Sequence, residues 1–434
     1  MKPYKEYKTV DLEWVKEIPT HWDVMPNISL FEERIERGHD ELQMLAVTIK
    51  NGVITQQELL ENSSKKDSSN DDKSKYKRVN VGDLAYNKMR MWQGAVGHSA
   101  YEGIVSPAYI VLKPREDIVS KYYHYLYRTP LYTEVSYQNS YGIHKDQLSL
   151  RYKDFKRMYT ILPPLREQQV IVEYLDNKVE ELDTLISTEN EKIEVLKEYK
   201  KALIDQVVFG GIESYEKQKT DEIWLKSIPS EWSLCPLKTI VREVNNSRSD
   251  IKENEVYIAL DQIESGTGRF SYVGGEVEFD SKVKEFKDTD ILFCKLRPYL
   301  AKVVFPKCEG VCVGELLVLR PISKDVDPEF LHYLLLSPSF INLVNSSTYG
   351  AKMPRANWGF IGNQKVPIPD TKEEQKKIVD YLNEKIEGID KLIEQTQLKI
   401  SEVESYKETL ITNVVTGKID VKNLVNDRRE VYVN

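Results

Sequence analysis

The sequence predicts an α+β protein: two tandem globular α/β domains joined by two long helices packed as an antiparallel coiled coil, a pseudo-two-fold repeat. Three observations predict it. The chain repeats itself at an offset of about 207–210 residues, each copy begins with short apolar runs broken by Gly, Pro, Asn and Asp, and each ends in a heptad seam. With 434 residues, 41% hydrophobic and 30% charged, the chain has an ordinary globular composition and length enough for more than one core. The expected boundaries are 1–162 and 213–366 for the globular domains, 163–212 and 367–418 for the helices, and 419–434 for a C-terminal tail.

Each copy opens on the same pattern. Trp14, Ile18, Pro19, Trp22 and Pro26 return as Trp224, Ile228, Pro229, Trp232 and Pro236. Asp83, Lys88 and Arg90 return as Asp290, Lys295 and Arg297, and Glu102-Gly103 as Glu309-Gly310. His124-Tyr125-Leu126 matches His332-Tyr333-Leu334, and Tyr141-Gly142 matches Tyr349-Gly350. The mixture of short apolar runs, such as Tyr109–Leu112, with helical patches such as Tyr122–Tyr127 reads as mixed α and β structure. Copy one also carries a polar run without periodicity, Glu61–Lys75, expected to be a solvated loop.

The helices are the best-kept part. In copy one the expected seam is Leu175, Val179, Leu182, Ile186, Ile193, Leu196, Leu203 and Val207, with polar breaks at Glu189 and Lys200. In copy two it is Leu382, Ile386, Ile389, Ile393, Ile400, Val403, Leu410 and Val414, broken at the equivalent Thr396 and Lys407. A seam of that length needs a partner in water, and the other copy's helix supplies one; the alternative is that each helix folds back on its own domain. Pro163-Pro164 and the capping box Thr371-x-x-Glu374 mark the starts, and Gly210-Gly211 and Gly417 the ends. About 43 helical residues make a rod of roughly 65 Å.

The net charge of −8 is unevenly spread. Residues 166–212 hold 6 Lys/Arg against 11 Asp/Glu and residues 366–434 hold 11 against 14, whereas residues 42–165 hold 18 against 12. The acidity belongs to the helices, and the first globular domain is locally basic, which permits DNA binding. No leader-like or membrane-length apolar run is present, so secretion and membrane spanning are not expected. The four cysteines form no C-x-x-C pair, and Cys308 and Cys312 have no neighbouring His; small buried residues in a reducing cytoplasm are expected, and no metal.

Catalytic signatures are missing. There is no G-x-x-x-x-G-K-[ST] loop and no G-x-G-x-x-G after a strand. Leu162-Pro163-Pro164-Leu165 has the prolines of an amino-methyltransferase box but neither its polar first residue nor its stacking aromatic. Asp370, Glu374 and Lys376 have the outline of a metal-dependent nuclease, yet copy one lacks the Asp and the Lys, and acids are favoured at a helix N-terminus anyway.

A duplicated unit with W-x-x-x-I-P-x-x-W, a D-[LI]-x-x-x-K-x-R strand and an E-Q-x-x-I-V-x-Y-L helix resembles the DNA specificity subunit of type I restriction–modification systems. The likeness covers essentially the whole chain; one departure is the second helix start, IPDTKEEQ in place of a PPLxEQ form. It implies two target-recognition domains, each reading half of an asymmetric bipartite DNA sequence, held by a helical spacer. It also implies docking of two methyltransferase subunits and of a restriction/translocase subunit. S-adenosylmethionine, ATP and Mg would serve those partners, leaving this chain without cofactor or catalysis. Alternatives are a DNA nuclease and a coiled-coil adaptor that binds only protein.

DNA-facing residues are expected in polar and aromatic loop clusters. In copy one these are Lys88, Arg90, Trp92 and Gln93, then Asn139, Tyr141, His144 and Lys145. In copy two they are Lys295, Arg297 and Tyr299, then Tyr349, Lys352 and Arg355. Positions shared by two readers of different sequences suit phosphate clamping or folding better than base reading. The recurring Trp14, Trp22, Trp224 and Trp232 are expected in packing, and His124 and His332 in structural positions.

Overall fold

The computed structural model describes residues 2–61, 73–213, 215–271, 282–350 and 352–422. Most of the polar run Glu61–Lys75, and the tail beyond Lys422, lie outside the described residues. The chain divides into two compact units, Met1–Thr188 with Leu398–Asn434, and Glu189–Gln397. Each unit therefore holds one globular part and a portion of both long helices.

In unit one, β1 (Asp23–Pro26), β2 (Phe31–Arg34), β3 (Leu84–Asn87), β4 (Val96–His98) and β5 (Tyr109–Pro114) precede α1 (Ser120–Leu126), α2 (Pro130–Gln138) and β6 (Tyr159–Leu162). An antiparallel sheet runs β2-β5-β3-β4, and β6 returns to pair with β1, Leu162 opposite Asp23. The aromatic core holds Trp22, Phe31, Tyr86, Tyr122, Tyr123, Tyr127, Tyr132 and Phe155, all fully buried. Asn27 saturates its polar end: its amide donates to Tyr132 Oη at 2.8 Å and accepts from Tyr127 at 2.7 Å.

Unit two repeats the plan with β7 (Trp232–Pro236), β8 (Val241–Val244), β9 (Ile291–Cys294), β10 (Val303–Val304), β11 (Leu316–Pro321), α4 (Pro328–Leu336), α5 (Pro338–Ser346) and β12 (Lys365–Pro369). Its sheet runs β8-β11-β9-β10, and β12 pairs with β7, Pro369 opposite Trp232. The recurring Trp thus stands just before (Trp22) or at the first position of (Trp232) the strand that closes each domain against the segment leading into its helix. The units differ in their smaller sheets. Among the described residues, unit two builds a four-stranded one containing the parallel pair Tyr257–Ile258 and Gly310–Val313, where unit one has two-stranded pairs. Gly103 and Gly310 share one reason: a Cβ there would collide with the carbonyl of Gln43 or Val256, which accepts from the following amide.

The recurring Asp83 and Asp290 are structural. Asp83 accepts from Asn80 N–H at 2.8 Å and from the Arg34 guanidinium at 2.7 and 3.2 Å. Asp290 accepts from Lys287 N–H at 2.8 Å and from Arg320 at 2.7 and 2.5 Å. The arginine comes from β2 in one unit and from β11 in the other, so the two copies meet one need from different strands.

The long helices are α3 (Leu165–Gly210) and α6 (Lys372–Val415). Each is stopped by a glycine in the left-handed region, Gly211 at φ +76° and Gly417 at φ +75°. Gln168 and Gln375 fasten their starts alike. Gln168 accepts from Val119 N–H at 2.9 Å and donates to the carbonyls of Asp117 and Pro163. Gln375 accepts from Asp327 N–H at 2.8 Å and donates to Asp325 and Pro369. Thr371 caps the Glu374 N–H at 3.3 Å, but the Glu374 carboxylate accepts from the Trp232 indole at 2.8 Å, so only half of the capping box forms.

The two helices pack on each other within both units. Every expected seam residue is buried or half-buried. In unit one Leu175 and Leu182 of α3 share a core with Leu410 and Val414 of α6 and with Tyr122 and Leu126 of the domain, so the helix meets its own domain and its partner together. Antiparallel pairing is fixed there by Asp183–Lys407 at 2.5 Å and by Glu167, near the start of α3, meeting Lys422 beyond the end of α6 at 3.1 Å. In unit two the contact is Lys200–Asp390 at 2.9 Å. Lys200 corresponds to Lys407 and Asp183 to Asp390, so the two lysine breaks in the seams are two versions of one ion pair with the helices' roles exchanged.

Candidate nucleic-acid interface

In each unit the expected DNA-facing residues sit on two adjoining segments, the one leaving the central sheet strand (β3 or β9) and a hairpin after the second short helix. In unit one the Lys88 carbonyl accepts from Leu150 N–H at 2.8 Å, which ties the first segment to the hairpin Tyr141–Ser149. In unit two the Lys295 carbonyl accepts from Ala356 N–H at 2.9 Å, beside the hairpin Tyr349–Arg355. The two hairpins are anchored alike, through the Lys88 and Lys295 carbonyls, while their tips, GIHKDQL and GAKMP, differ in length and sequence.

Lys88 is half-buried and Arg90 exposed, and Gln93 lies exposed in the turn Met91–Gln93. Trp92 donates its indole N–H to Met89 at 3.1 Å and meets Tyr137 with ring centroids 5.8 Å apart, which packs the turn on α2. Asn139 ends α2 and donates its amide back to Val135 at 2.9 Å, a capping duty. Tyr141 is 72% exposed with the Arg151 guanidinium 5.5 Å from its ring centroid, and His144 and Lys145 are exposed beside it.

In unit two Lys295 is half-buried and its amide donates to the Glu315 carbonyl at 3.1 Å. Arg297 is exposed in the left-handed region at φ +50° and donates its N–H to Pro354 at 2.7 Å, fixing the hairpin tip from below. Tyr299, Tyr349 and Lys352 are exposed. Arg355 donates from Nε at 3.3 Å and Nη2 at 2.9 Å to the Glu315 carboxylate. That guanidinium, with Lys295 nearby, holds the Glu315 carboxyl below the usual carboxylate range.

Behind each cluster lies a lysine, buried in unit one and half-buried in unit two. Lys77 donates to the Tyr109 carbonyl at 2.9 Å and Lys284 to the Leu316 carbonyl at 3.0 Å; burial lowers both pKa values. Three residues of these patches escaped the sequence reading: Ile143, 87% exposed at one tip, Met353 at the other, and Glu315. Glu315 corresponds to Ala108, so a search for recurring residues passes over it. Of the residues with a nuclease outline, Asp370 accepts from Ser233 at 2.6 Å and Glu374 from the Trp232 indole at 2.8 Å.

The fold is duplicated, with a loop-built polar surface on each copy. The family model described as "Type I restriction modification DNA specificity domain" matches residues 44–195 and 229–402, and the chain belongs to that family. The chain is 26% identical over 374 residues to the type I restriction enzyme MjaVIII specificity subunit of Methanocaldococcus jannaschii, covering 81% of this chain and 84% of that one. It is 22% identical over 331 residues to the EcoKI specificity subunit of Escherichia coli K12, covering 71% and 68%. Among solved structures, the HsdS subunit from Thermoanaerobacter tengcongensis shares the fold with a TM-score of 0.53 at 15% identity, covering 93% of this chain and 98% of that one. A structure described as "Structural basis underlying complex assembly and conformational transition of the type I R-M system" gives 0.69 at 13% identity, covering 93% and 99%.

Proposed function

We propose that this chain is the sequence-reading subunit of a type I restriction–modification complex. It binds double-stranded DNA, each globular domain (1–162 and 213–366) reading one half of an asymmetric bipartite target. The observation that carries this is the pair of hairpins, alike where they join Lys88 and Lys295 and unlike at their exposed tips. Two readers that share a scaffold but differ at the reading surface are what an asymmetric split sequence requires.

The cationic and aromatic groups of the two loop surfaces suit the two tasks of an interface. Arg90, Lys145 and Arg151, and Arg297 and Lys352, can neutralise phosphates; Tyr141 and Tyr349 present flat faces and hydroxyls to groove edges. The helices set the spacer and offer a repeated surface for two methyltransferase subunits, with a restriction/translocase subunit joining for cleavage. No catalysis, metal or cofactor is assigned to this chain; S-adenosylmethionine, ATP and Mg serve the partners. Among the described residues no helix is long and apolar enough to cross a membrane, and the site of action is the cytoplasm, where the DNA is.

Methylome sequencing of the host with and without the gene tests this. Loss of one split adenine motif is expected; an unchanged methylome in a host whose methyltransferase partner is active contradicts it.

A further inference from the structure

Arg355 stands apart from the other cations of the two reading surfaces. It lies at the foot of the unit-two hairpin, bridged to Tyr349 and Leu296, with its side chain 38% exposed. Its Nε and Nη2 both donate to Glu315, whose own backbone carbonyl accepts from the Lys295 amide. The flank of the guanidinium is therefore fixed, and its end, Nη1 with the second hydrogen of Nη2, makes no other hydrogen bond among the described residues. The same side-on fork occurs at Arg34–Asp83 and Arg320–Asp290, but those acids are 3% and 0% exposed and anchor buried turns. Glu315 is 28% exposed and anchors a fork at the rim of an interface.

We propose that Arg355, aimed by Glu315, reads a guanine in the half-site bound by unit two; this rests on the reading of the chain as a DNA-binding subunit. A guanine offers N7 and O6 side by side in the major groove, and the free end of a guanidinium spans both. An unbuttressed arginine would lose rotamer freedom on docking and could turn equally to a phosphate; the Glu315 pair removes part of that loss beforehand and holds the end outward. Unit one has Ser149 and Ala108 at the corresponding places, so its half-site carries no such contact.

The test is selection from a random-sequence duplex library by the full chain in complex with its methyltransferase partner, followed by 7-deazaguanine substitution in the selected duplex. The wild-type chain is expected to require a guanine at one position of the half-site that changes when residues 213–366 are exchanged. Replacing that guanine by 7-deazaguanine, which lacks the N7 acceptor, should weaken binding about tenfold. Arg355→Gln should relax or shift that position alone, and Glu315→Gln should weaken its preference, with the other half-site intact. A unit-two half-site without guanine, indifference of the wild-type chain to 7-deazaguanine at every guanine of that half-site, or an unchanged guanine preference in Arg355→Gln would overturn the assignment. The 7-deazaguanine arm uses the native chain, so it decides even if the variants misfold. Failure of the wild-type complex to select any sequence would instead overturn the DNA-binding reading.

Discussion

Lys145 and Arg355, one in each unit, illustrate two ways a cation can serve a surface proposed to meet DNA. Lys145 is exposed on the unit-one hairpin, with no hydrogen bond or ion pair among the described residues, a free point charge suited to phosphate. Lys145→Ala should weaken binding to all duplexes alike and lower the slope of log K against log salt by about 0.9, read by titration between low and moderate salt. The buried histidines predict a different dependence. His332 donates from Nε2 to the Val303 carbonyl at 3.3 Å, and burial pushes its pKa down to about 4. Its equivalent His124 is lowered for the same reason. Between pH of about 4 and 6.5 the unfolded chain binds protons that the folded chain refuses, so stability falls as pH drops through that window and is level above it. The urea midpoint should be lower at pH 5.5 than at pH 7, and His332→Gln, which keeps the donor without the charge, should reduce the difference. Packing positions for these histidines were legible from their apolar helical setting. Their contact with a glycine turn was not: Gly52 and Gly268 stand above His124 and His332, at φ +70° and +74°, but lie at an offset the other repeats do not share.

Helices carried the clearest written signal, and their polar breaks show what periodicity alone leaves out. A heptad pattern marks Lys200 and Lys407 as interruptions; only the pairing shows that each meets the acid of the other copy. The two pairs differ in worth. Lys200 and Asp390 are 9% and 16% exposed, and Arg269 adds a second contact to Asp390 at 2.6 Å. Lys407 and Asp183 are 27% and 54% exposed. Lys200→Ala should cost about 2 kcal/mol, less than a fully orphaned buried charge because Arg269 remains, whereas Lys407→Ala should cost under about 1 kcal/mol. Urea unfolding of the two variants side by side measures the contrast; equal costs would mean that burial does not set the value of the pair. The Glu-Gln signature at each helix start reads in sequence as a helix opening. Its glutamine proves to be the bolt that holds the helix to the loop before α1 or α4, a contact across about 50 residues of chain that no local pattern encodes.

At the scale of the molecule, duplication was legible because selection for a shared scaffold leaves matching residues: the tryptophans, Gly103 and Gly310, Gln168 and Gln375. The loop surfaces proposed to read DNA were legible only as clusters of polar and aromatic residues. Residues that distinguish two targets must differ between copies, and Glu315 opposite Ala108, proposed to aim Arg355, is the kind of residue that any comparison of the halves passes over. The smaller sheets also differ between the units, four strands in one and pairs in the other among the described residues. Modular reading is the claim on which the rest depends, and a hybrid chain tests it most directly. Residues 1–162 are replaced by the corresponding domain of a family member with a different target, and the methylated motif of the hybrid complex is mapped. One half of the motif should change to the donor's while the other half stays as it was. A motif altered in both halves, or in neither, would contradict the account.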